Sequence, residues 1–108
     1  EAAARARVIV VDCVTLWASN VLLAEESNAP QALSREIGEL LAWYRANDVE
    51  MILVSNEVGM GLVPDNALGR AYRDLLGAVN KQLAASADEV FFLVAGLPIE
   101  IKARVVKE

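Results

Sequence analysis

Val8-Ile9-Val10-Val11, closed by Asp12, is the stretch from which the fold is read. Four consecutive β-branched residues match a strand covered on both faces, as in a parallel sheet. Two more apolar runs of similar length follow. Met51-Ile52-Leu53-Val54 ends at Ser55-Asn56, and Val90-Phe91-Phe92-Leu93-Val94 is broken by Ala95-Gly96-Leu97-Pro98 ahead of a short charged tail.

Between these runs the apolar spacing turns helical. Residues 15–25 carry Leu16, Val21, Leu22 and Leu23, interrupted by Asn20. Ser27 or Asn28 is a cap for the next helix, with Pro30 near its first turn. There Leu33, Ile37, Leu40, Leu41 and Tyr44 fall on one amphipathic face, and Asn47-Asp48 ends it. A glycine-bearing loop, residues 57–64, leads to Asp65 or Asn66 as the cap of a further helix. That helix has Leu68, Ala71, Tyr72, Leu75, Leu76, Val79 and Leu83 at helical spacing. Gly69 and Gly77 inside it each cost about 1 kcal/mol against alanine, so close packing is expected there. Strands separated by helices imply parallel pairing. The expected fold is a single α/β domain over residues 1–108, a parallel sheet with flanking helices.

Composition narrows the function classes. With 56% hydrophobic residues in 108, the chain is expected to pack a core, and the apolar excess suggests a covered surface. No apolar run reaches the roughly 18 residues of a membrane span. The net charge of −5, with scattered basic residues, gives no nucleic-acid footprint. A lone cysteine, Cys13, fits a reducing cytoplasm. There is no histidine, which removes imidazole bases, nucleophiles and metal ligands from these residues. The chain begins with Glu1, which suggests a fragment, a processed chain or a trimmed one.

In open parallel sheets, ligands bind beyond the carboxyl ends of the strands. Three polar segments are expected there: Asp12-Cys13-Val14-Thr15, Ser55-Asn56-Glu57 and Ala95-Gly96. An acidic residue closing an apolar strand suits Mg²⁺, which takes oxygen ligands; equally, such an Asp can simply cap the next turn. Asn56 and Glu57 offer an amide and a carboxylate, while Gly59 and Gly61 permit close approach to a ligand. A tight strand-to-helix connection explains the same loop without one. Arg70 and Asp74 read as an i, i+4 surface ion pair. Asn80 reads as a buried hydrogen-bonding residue or a partner contact, Trp17 and Trp43 as core or interface anchors, and Cys13 as a small buried hydrophobe.

Four segments, in order, carry a resemblance: residues 10–17 with Asn20; the loop Ser55-Asn56-Glu57-Val58-Gly59-Met60-Gly61-Leu62-Val63-Pro64-Asp65-Asn66; residues 70–77 with Asn80 and Ala84; and residues 89–98 with Lys102. Together they resemble the adenosylcobinamide kinase/adenosylcobinamide-phosphate guanylyltransferase family over roughly residues 8–102, and the middle loop is the most distinctive part. The resemblance implies a partial P-loop NTPase-like fold (RecA-like or Rossmann-like, three-layer) and a site for GTP or ATP with Mg²⁺. The family phosphorylates adenosylcobinamide, then transfers GMP from GTP to the product through a guanylylated histidine, in cobalamin biosynthesis. It assigns nucleotide binding to Asp12, Asn56, Glu57, Gly59 and Gly61, and the metal to Asp12. No catalytic residue is assigned within this chain.

The family also carries a P-loop strand and a GMP-bearing histidine. No G-x-x-x-x-G-K-[ST] occurs in these 108 residues, and no histidine. The chain therefore reads as the C-terminal part of the family's catalytic domain, inactive alone. Two other readings stay open: one half of a split nucleotide-binding enzyme, and a non-catalytic module that covers its exposed sheet by forming a homo-oligomer.

Overall fold

A computed structural model describes residues 7–58, 61 and 64–104. The order is β1 (Val8–Asp12), α1 (Val14–Ala24), a 3₁₀ turn (Glu26–Asn28), α2 (Ala29–Ala46), β2 (Glu50–Val54), α3 (Ala67–Ser86), β3 (Phe91–Val94), β4 (Leu97–Glu100) and a second 3₁₀ turn (Lys102–Arg104). β1 and β2 pair in parallel, from Val8 opposite Glu50 to Asp12 opposite Val54. The expected α/β architecture, a parallel sheet with flanking helices, is thus present, and it is compatible with a partial P-loop NTPase-like fold. Among the described residues no helix is long and apolar enough to cross a membrane.

The core forms where the three helices meet one face of that sheet. α2 buries Leu33, Ile37 and Leu41, and α3 buries Leu75, Leu76, Val79 and Leu83, as their spacing requires. α1 departs from expectation. It buries Val14, Ala18 and Leu22, a stripe at i, i+4, i+8, while Leu16 and Leu23 face outward at 59% and 71% exposure. Val11 and Leu53 reach this cluster from β1 and β2. No polar or charged residue is buried among those described, so any chemistry lies at the rim of the core.

Two expectations about the strands are corrected. Burial along β1 and β2 alternates instead of being complete. Helices cover the face of Val11 and Leu53, and the opposite face leaves Val10 and Ile52 about half exposed, at 56% and 51%. The third strand does not join the parallel sheet. β3 pairs antiparallel with β4, Val94 opposite Leu97, in a separate two-stranded sheet. The residues read as a break are its turn: Ala95 and Gly96 both take positive φ, 52° and 75°, as a two-residue hairpin turn of right-handed twist requires.

Candidate functional site

The carboxyl ends of β1 and β2 meet side by side, because Asp12 and Val54 are register partners at the last rung of the ladder. Asp12 is exposed there. The chain enters α1 through Cys13, which is the helix cap and not the buried hydrophobe expected: it is half-buried, and its Sγ accepts from the Leu16 N–H at 3.4 Å. A sulfur can stand in for the usual cap oxygen because the first helical N–H groups have no partner of their own.

Beyond Val54, side chains replace the ladder. The Asn56 N–H donates to Thr15 Oγ1 at 3.1 Å, and the Asn56 carbonyl accepts from Asn80 Nδ2 at 2.9 Å. The Ser55 hydroxyl donates to Asn80 Oδ1 at 2.5 Å. The start of α1 and the middle of α3 thereby hold the exit of β2. Glu57 follows, exposed, and Val58 packs against the core. Gly61 is exposed, its N–H donating to the Val58 carbonyl at 3.4 Å. Gly59 lies outside the described residues. Further on, Arg70 Nη1 donates to the Pro64 carbonyl at 3.1 Å, and Asn66 caps α3 by accepting from the Gly69 N–H at 2.6 Å.

The structure thus brings Asp12 and the segment that leaves β2 through Asn56 and Glu57 to the same carboxyl edge of the sheet. It does not bring Ala95-Gly96 to the carboxyl end of the same sheet, since these residues turn the β3–β4 hairpin. The ion pair expected of Arg70 belongs to its neighbour: Arg73 meets Asp74 at 3.3 Å, while Arg70 serves the loop backbone. Trp17 is an anchor with a polar end, its indole N–H donating to Glu36. On α3, burial and then the charge of nearby Cys13 push the Tyr72 hydroxyl above its ordinary value of 10.0.

Sequence reading placed Thr15 and Ser55 in the strand-end segments but did not foresee the partners their hydroxyls take, Asn56 and Asn80. A hydroxyl's partner 41 residues away leaves no local pattern. Asn80 did leave one, as an amide within an apolar stripe. For a metal, no cluster of three or more His, Cys, Asp or Glu side chains exists among the described residues. The described residues thus build no dedicated protein cage, while a lone carboxylate such as that of Asp12 is of the type that suits a Mg²⁺–nucleotide, whose remaining ligands are waters and phosphate oxygens.

The sequence model of the family described as cobinamide kinase / cobinamide phosphate guanyltransferase matches residues 1–101. The chain belongs to that family. It is 40% identical to the bifunctional adenosylcobalamin biosynthesis protein CobU of Salmonella typhimurium, covering 87% of this chain and 58% of the relative. It is 38% identical to CobU of Escherichia coli, with 88% and 58% covered, and 42% identical to the bifunctional protein CobP of Pseudomonas aeruginosa, with 89% and 54% covered. The chain thus spans somewhat more than half the length of these curated relatives. Every candidate residue of the cobinamide kinase/guanyltransferase reading, from Asp12 to Gly61, lies within the matched range.

Proposed function

We propose that the carboxyl edge of β1 and β2 is one wall of the nucleotide site of a cobalamin-biosynthesis enzyme, one that phosphorylates adenosylcobinamide and transfers GMP from GTP to adenosylcobinamide phosphate. The observation that carries this is the register Asp12–Val54, which sets an exposed carboxylate beside the loop that begins at Asn56. In this reading Asp12 is an oxygen ligand to Mg²⁺ and, with Asn56, Glu57, Gly59 and Gly61, borders GTP or ATP. Bound Mg²⁺ would neutralise phosphate charge at the Asp12 carboxylate. Asn56 and Glu57 would supply polar contacts, and the glycines would keep the backbone close to the ligand.

These 108 residues hold neither a phosphate-cradling G-x-x-x-x-G-K-[ST] nor a histidine to carry GMP. By themselves they turn over neither reaction, and both groups come from other residues. In this reading the reaction belongs in the cytoplasm, whose reducing conditions keep a lone Cys13 as a thiol. Calorimetric titration of the chain with GTP and ATP, with and without Mg²⁺, tests the wall. Mg²⁺-dependent binding that Asp12→Asn weakens at least roughly tenfold is expected, the scale of a lost charge-assisted contact. Absent binding, or binding indifferent to Asp12, overturns the site assignment; turnover by the 108 residues overturns the inactivity.

Self-association is the second reading, favoured by the uncovered face of β1 and β2, where Val8, Val10, Ile52 and Val54 are all exposed. A stable monomer at high concentration in sedimentation runs would rule it out.

A further inference from the structure

Asn56 is held from two sides by side chains that lie far from it in sequence. The last rung of the β1–β2 ladder is Asp12–Val54, so the backbone that leaves β2 needs other partners for its N–H and carbonyl groups. Thr15 takes the Asn56 N–H at 3.1 Å, and Asn80 gives its Nδ2–H to the Asn56 carbonyl at 2.9 Å. Asn80 also receives the Ser55 hydroxyl at 2.5 Å. Holding a hydroxyl donor and a carbonyl acceptor at once requires a group with both functions, which an amide has and a carboxylate or an alkyl chain does not. Thr15 stands three residues after Asp12, so the same bond that fixes Asn56 ties it to the chain emerging from the Asp12 strand.

The geometry points to Thr15 and Asn80 as positioning residues, a two-sided clamp that fixes where Asn56 and Glu57 stand relative to Asp12. Its consequence for ligands rests on the nucleotide reading given above; the clamp itself rests only on the hydrogen bonds. Both residues act through the backbone of Asn56, which carries the loop onward to Glu57.

Amide hydrogen exchange and Mg²⁺–GTP titration on the whole chain test this together. Thr15→Val removes the acceptor at nearly constant shape, Thr15→Ser restores it, and Asn80→Asp keeps the acceptor for Ser55 while deleting the donor to Asn56. In Thr15→Val the Asn56 amide should exchange roughly five- to tenfold faster, the scale of one net hydrogen bond, with the β2 amides unchanged. Thr15→Ser should match the wild type. GTP affinity should fall by about fivefold in Thr15→Val and Asn80→Asp and recover in Thr15→Ser. Unchanged Asn56 exchange in Thr15→Val, or Thr15→Ser behaving like Thr15→Val, overturns the clamp. Faster exchange with unaltered GTP affinity overturns its positioning role. If Thr15→Val does not fold, Thr15→Ser and Asn80→Asp decide. A wild-type chain that binds no GTP defeats the nucleotide reading, and the exchange rates still decide whether Asn56 is clamped.

Discussion

The indole nitrogen of Trp17 donates to Glu36 Oε1 across 2.8 Å, half-buried between α1 and α2. α1 begins where the Asp12 strand ends, so whatever fixes α1 also fixes the floor of the candidate site. A hydrogen bond to a charged acceptor contributes more than a neutral one, and partial exposure reduces it. Glu36→Ala is expected to cost about 1–2 kcal/mol. In urea titrations followed by tryptophan fluorescence, this should appear as a lower midpoint at unchanged slope. Glu36→Gln keeps an acceptor and should recover most of the loss. A Glu36→Ala midpoint equal to wild type would mean that packing alone holds the helices together.

Tyr72 makes the fold sensitive to alkali. Burial, and secondarily the Cys13 charge, raise its hydroxyl above 10.0. The unfolded chain then gives up this proton at lower pH than the folded one. Over that window the folded state binds more protons, so stability falls as pH rises. The contribution is complete below about pH 10, the unfolded value, and is lost as pH climbs through the raised folded value. Tyr72→Phe should flatten this part of the stability curve. A Cys13→Ala variant should lower the Tyr72 midpoint seen by ultraviolet absorbance, since one of its two causes is gone. Identical alkaline curves for wild type and Tyr72→Phe would count against the assignment.

The helices were legible because their chemistry is periodic. Leu33, Ile37 and Leu41, and Leu75, Leu76, Val79 and Leu83, fall on the buried stripes that their spacing demands. β1 and β2 were legible as parallel strands because each is an unbroken apolar run with helices between them, but such runs do not show the alternation that leaves Val10 and Ile52 exposed. The hairpin was not, because Ala95-Gly96-Leu97-Pro98 contains the breakers of a chain end as well as the residues of a tight turn, and the antiparallel partner is only four residues long. Asp12, Asn56 and Glu57 were readable as strand-end polar residues. The bonds from Thr15 and Asn80 that bring their segments together span 41 and 24 residues and arise only from tertiary packing.

Lys102 ends the chain's last strand pair against the end of α3. Its Nζ donates to the Ala84 carbonyl at 2.8 Å and the Ala85 carbonyl at 3.3 Å, and also to the Ala87 carbonyl. The terminal carbonyls of a helix lack partners within the helix and carry its negative dipole end, so a cation suits them on both counts. Lys102→Met keeps much of the stem and removes the charge. It should lower stability by about 1 kcal/mol and speed amide exchange in β3 and β4, because the same residue joins the hairpin to α3. Unchanged exchange in Phe91–Val94 would show that the hairpin is held by other contacts.

The two glycines of α3 should respond to alanine with opposite signs. On helix propensity alone, both replacements would gain about 1 kcal/mol. At Gly77 nothing stands within 4 Å of where a methyl would go, so Gly77→Ala should deliver that gain. At Gly69 the added carbon would lie 2.8 Å from Pro64 Cβ and 3.0 Å from Asn66 Oδ1. Pro64 has a closed ring that cannot swing aside, and Asn66 Oδ1 is the cap that accepts from the Gly69 N–H itself. Relieving the clash therefore displaces the Pro64 end of the loop or breaks the cap, whose loss alone costs about 1 kcal/mol. Gly69→Ala should be net destabilising, and in exchange measurements the loss should concentrate in the first turn of α3. If Gly69→Ala raises the urea midpoint as Gly77→Ala does, the close approach of Pro64 to α3 is not a feature of the folded chain.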